Sequence, residues 1–93
     1  MFGKNKKVKK CNSILTTILS DQNVLNIYSG RVKDSFMQHE GNVVDVYRDI
    51  SIMIANDYGE KDIDVCERVS VTLVTMLRKM VNNYGDLEFK YHG

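Results

Sequence analysis

From Asn42 onward, apolar and polar residues follow one another with the rhythm of an α-helix. Val43, Val46, Tyr47, Ile50, Met53, Ile54 and Tyr58 recur at steps of three and four, the spacing that lines one face of a helix. Asn42 suits the N-cap, and Asp45 falls in the first turn, where the helix dipole favours an acid. Gly59 suits the left-handed position just past the end. The next helix is predicted from Lys61 or Asp62 to about Tyr84. Its stripe runs through Ile63, Cys66, Val69, Leu73, Met76 and Met80, widened by Ser70, Leu77, Val81 and Tyr84. Residues 69–75 are rich in β-branched side chains, which locally favours a strand. The helical spacing persists on both sides of that run and outweighs it.

The first half of the chain is less regular. Ile14, Leu15, Ile18 and Leu19 fit a helix capped by Asn12 or Ser13, and residues 20–23 read as a break with a new cap. Leu25, Tyr28, Val32 and Phe36 then share one helical face, interrupted by Gly30. The rival is a hairpin over residues 24–36 turning at Ser29-Gly30. Helix is preferred, because Ser-Gly is a weaker hairpin signal than Asn-Gly. Residues 39–42 read as a loop. Leu87, Phe89 and Tyr91 alternate with Glu88 and Lys90, as in a short extended segment.

The predicted architecture is all-α: a small bundle of three to four helices with a flexible basic N-terminal arm and a short extended C-terminal tail. The arm covers residues 1–11 and a single helical domain covers residues 12–93. The last two helices are expected to form an antiparallel hairpin through residues 59–61. A chain of 93 residues has room for one core. Cores this small are commonly supplemented by disulfides, metals or self-association. Cys11 and Cys66 are the only cysteines and suggest no disulfide, so a homodimer is the expected supplement.

Charge is unevenly placed. Lys4, Lys6, Lys7, Lys9 and Lys10 precede the first acid, Asp21; removing these five from the net +1 leaves −4 for the rest. The lysines can neutralise phosphates and release counterions. With no arginine for guanine contacts and no aromatic beyond Phe2, any nucleic-acid binding by the arm would be non-specific and salt-sensitive. The bland reading is a solubilising tail. The apolar stretch after the lysines is short and broken by Thr16 and Thr17, so it makes no secretory signal. Nothing approaches a membrane span, and a cytoplasmic setting with reduced thiols is expected.

Little in the sequence carries chemistry. His39, His92, Cys11 and Cys66 lack ligand spacing, so no metal or other cofactor is expected. Cys66 lies on an apolar stripe, where burial raises a thiol's pKa and makes it inert. Asp57, Glu60, Asp62, Asp64 and Glu67 cluster at a helix junction, where a solvated loop explains them without catalysis. No glycine-rich phosphate loop is present. Two apolar residues fall on rows that should be wet: Ile52 among Asp45, Asp49 and Asn56, and Val71 among Asp64, Arg68, Thr75 and Arg78. With Phe89 and Tyr91 they are candidates for one protein-binding patch. The expectation is a non-catalytic interaction or regulatory protein, of inhibitor or adaptor type, that binds a protein partner through a helical face. The alternative is a nucleic-acid-associated regulator using the lysine arm on a dimeric helical body. In size and helical pattern the chain resembles small phage- and plasmid-borne regulators and bacteriocin immunity proteins, a likeness of class with no motif behind it.

Overall fold

The computed structural model describes the backbone of residues 2–83 and the side chains of residues 6–79. Four helices follow one another: α1 (Phe2–Ser20), α2 (Gln22–Gln38), α3 (Val43–Tyr58) and α4 (Ile63–Asn83), with no strand among the described residues. α2 packs on α3 and α3 on α4, while α1 closes the bundle by lying against both α2 and α4. Residues 24–36 are helical, so the hairpin is excluded.

Each turn has a local cause. The Asp21 carboxylate accepts from the amides of Asn23 and Val24 and starts α2 one residue after α1 ends. Asn42 accepts from the amides of Val44 and Asp45 and starts α3. Gly59 ends α3 at φ +61°, a left-handed conformation that costs glycine little. Asp62 then accepts from the amides of Asp64 and Val65 and caps α4.

The core gathers Ile18 from α1, Tyr28 and Val32 from α2, Val46, Ile50 and Ile54 from α3, and Val65, Val69, Leu73 and Val74 from α4. Two features differ from the sequence reading. Residues 2–11, expected as a flexible arm, are helical and continuous with residues 12–20, so Asn12 and Ser13 cap nothing. The cause is distant in sequence: Lys7 lies 3.2 Å from Asp64 and 3.8 Å from Asp62, and Lys10 lies 3.6 Å from Glu60. These acids offset the repulsion among the lysines, and Cys11 is buried against α4 beside them. The stripe of α4 buries Cys66, Val69, Ser70, Leu73 and Leu77 as expected but is turned at its edge. Val65 and Val74 are fully buried, whereas Ile63 is 71% and Met76 37% exposed. Ile63 opens the first turn, ahead of Val65 and Cys66, where burial on α4 begins. The expected extended tail, with Phe89 and Tyr91, lies outside the described residues.

Candidate interaction surface

The outer rows of α3 and α4 follow from where their buried faces point. α3 buries Val46, Ile50 and Ile54, which turns Arg48, Ile52 and Asn56 outward. Ile52 is 55% exposed. α4 buries Val69, Leu73 and Leu77, which turns Arg68, Val71, Thr75 and Arg78 outward, and Val71 is 41% exposed.

Val71 does not stand alone. It lines a groove of ≈ 540 Å³ between α1 and α4, together with Val8, Cys11 and Leu15, with Glu67 and Arg68 beside it. The structure therefore joins Val71 to α1 residues that the sequence reading did not single out. Their signal was present, since Val8, Cys11 and Leu15 are spaced by three and four. The lysines on either side of Val8 mask it, because a basic run of that length carries the signature of a solvated arm. Ile52 does not line this groove.

Of the lysines, Lys7 and Lys10 are engaged with the acids at the start of α4, while Lys6 and Lys9 are exposed. The side chain of Lys4 lies outside the described set. Lys7 first, and then Arg68, hold the Asp64 carboxyl below its ordinary pKa through hydrogen bonds to the charged form. Three of the five acids at this junction, Glu60, Asp62 and Asp64, thus moor α1.

The remaining polar chemistry sits at opposite ends of α3. At the α2–α3 corner, Asp49 Oδ2 accepts from the Ser35 hydroxyl at 2.7 Å and from His39 Nε2 at 2.8 Å. Three residue types of a hydrolytic triad meet here in the wrong order. A nucleophilic serine must give its proton to the imidazole, but Ser35 gives its hydrogen bond to the carboxylate and is buried. At the α3–α4 corner, the Cys66 thiol points to the Glu60 carbonyl at 3.8 Å, while the His39 ring is engaged with Asp49. Burial is the main cause that pushes the Cys66 and Cys11 thiols up in pKa, which suppresses the thiolate that reacts. No group of three His, Cys, Asp or Glu side chains able to hold a metal occurs among the described residues. No described helix is long and apolar enough to cross a membrane.

No protein-family model, curated protein or solved structure matches this chain. The groove and the two outer rows must therefore be read on their own chemistry.

Proposed function

We propose that this chain is a non-catalytic interaction or regulatory protein, of inhibitor or adaptor type, that binds a protein partner through its helical surface. The observation that carries the reading is the apolar groove between α1 and α4, where Val71 and Val8 stand exposed beside Leu15. Ile52 and Val44 are further exposed apolar residues on α3, two turns apart with Arg48 between them. Single exposed apolar residues are ordinary, but a groove that gathers several is the common footprint of a protein contact. The two free thiols fit a cytoplasmic setting.

The reading is tested by capture from the native host with the tagged chain at low and high salt. One protein should be retained stoichiometrically at both, and Ile52→Asp or Val71→Asp should release it. Retention of nucleic acid instead, lost at high salt and on removing residues 1–10, would replace this reading with the lysine-based alternative. The exposed Lys6 and Lys9 support that alternative, and the engagement of Lys7 and Lys10 weakens it.

A further inference from the structure

We infer that this chain pairs with a second copy of itself, two α4 helices running antiparallel about a twofold axis at Val71. The inference names a partner for the face described above and rests on reading that face as protein-binding.

The outer row of α4 is Asp64, Arg68, Val71, Thr75 and Arg78, spaced four, three, four, three. This is the seam spacing by which one helix lies along another. Val71 is the one apolar member, and it stands seven residues from Asp64 and seven from Arg78. Reversing the row about Val71 sets Asp64 of each copy opposite Arg78 of the other and brings the two Val71 side chains together. A parallel arrangement would instead set acid beside acid and base beside base. The row thus carries charge complementarity to its own reverse, the requirement of an isologous contact, which closes at two copies.

The Asp64 and Arg78 side chains are both already engaged within the copy, yet each keeps hydrogen-bonding capacity for these contacts. Lys7 and Arg68 both bind Asp64 through Oδ2, at 3.2 and 3.1 Å, which leaves Oδ1 for an incoming guanidinium. The guanidinium carbon of Arg78 lies 5.1 Å from the centre of the Phe36 ring, a contact that supplies no carboxylate or carbonyl to its N–H donors. Val8 and Leu15, across the groove from Val71, widen the apolar contact beyond one valine. For a core as small as this one, such pairing supplies burial that a single copy lacks.

Analytical ultracentrifugation of the full chain over micromolar to sub-millimolar concentrations reads the outcome. A concentration-dependent dimer is expected. Val71→Asp, which would bury an unpaired charge at the axis, should weaken it by about 100-fold or more while melting as a folded helical protein. Arg78→Glu should weaken it too, by facing Asp64 with an acid. Val71→Cys should yield a covalent dimer joined at residue 71 under mild oxidation, whereas the wild type, with Cys11 and Cys66 buried, should not. A wild type that stays monomeric throughout, a dimer indifferent to Val71→Asp, or a Val71→Cys chain that does not cross-link overturns the inference. A monomer whose protein target is nonetheless lost on Val71→Asp overturns it while the proposed function stands. A dimer joined at residue 71 that captures no other protein upholds it while the target-binding reading falls.

Discussion

The hydroxyl of Ser70 donates a 2.6 Å hydrogen bond to the main-chain carbonyl of Tyr47, tying α4 to α3. Ser70 is fully buried, and a buried hydroxyl is costly without a partner. The Tyr47 carbonyl lies inside α3, and its second lone pair takes this bond. Ser70→Ala removes the donor but leaves the carbonyl its helical position, so the expected loss is about 1 kcal/mol. In a chain of this size that lowers Tm by about 4–8 °C. Ser70→Val adds bulk to a packed contact and is expected to cost about 1–3 kcal/mol. Thermal unfolding of the three proteins measures both, and three equal midpoints would show that the bond contributes nothing.

At alkaline pH the fold is expected to lose stability through Tyr28. Burial first, and then its hydrogen bond to Asp57 at 2.8 Å, push the phenol well above its ordinary pKa of 10.0. The folded chain keeps this proton after the unfolded chain has released it. Stability is therefore complete below about pH 10 and falls as pH rises beyond. Cys11 and Cys66 act with the same sign, from their ordinary value of 9.0 upward. Tyr28→Phe should cost about 1 kcal/mol at neutral pH through the lost hydrogen bond. It should also flatten the decline above about pH 10, so that the two curves converge. Urea midpoints between neutral and alkaline pH test this; parallel curves would contradict it.

At acid pH the sign reverses at Asp49. The Ser35 hydroxyl first, and then His39, hold its carboxyl below the ordinary 3.8, against the opposing effect of burial. A depressed folded pKa contributes stability above the unfolded value, and that contribution is lost as pH falls through the folded one. Ser35→Ala removes a hydrogen bond to a charged acceptor and is expected to cost about 1.5–3 kcal/mol at pH 7. The gap to the wild type should narrow as pH falls below the ordinary 3.8 and the carboxyl becomes protonated in both. Thermal midpoints at the two pH values decide it. A gap that does not change with pH would mean Ser35 acts by packing alone.

Two glycines are expected to respond to alanine with opposite signs. Nothing lies within 4 Å of a Cβ placed at either Gly30 or Gly59, so backbone conformation alone decides. Gly59 has φ +61°, where an L side chain costs about 1–2 kcal/mol, and Gly59→Ala should destabilise by that much. Gly30 lies inside α2, where replacing glycine by alanine should stabilise by about 0.5–1 kcal/mol. Denaturant midpoints of the two variants on either side of the wild type are the expected result.

Where local signals act, the fold was legible. The face of α3, its Asn42 cap and its Gly59 stop all follow from residues within a few positions of one another. The turned stripe of α4 did not. Apolar residues flank its centre on both sides, so Ile63-Cys66-Val69 and Val65-Val69-Leu73 are equally helical spacings, and only the neighbouring helices choose between them. The start of α1 was hidden for a different reason. Val8 is the one apolar residue among residues 4–10, so its step to Cys11 and Leu15 is masked by lysines, and the acids that hold them lie fifty or more residues downstream. Ser35, His39 and Asp49 likewise meet only once α2 and α3 have turned back on each other. In the candidate surface, Ile52 and Val71 were visible as errors of pattern on otherwise polar rows. The groove was not, because it needs α1 and α4 side by side.

The contact between α1 and α4 also sets an order of events during synthesis. Cys11 and Lys7 find their partners only at Val65 and Asp64, separations of 54 and 57 residues. A ribosome releases the first helix long before the last exists, so the greasy side of α1, with Ile14 and Ile18, emerges with half of its shelter missing. The α2–α3 pair, whose contacts span far shorter stretches, can assemble earlier and offer that side a provisional rest. Closure waits for the final helix, and until then the nascent chain presents its stickiest surface to whatever else is nearby.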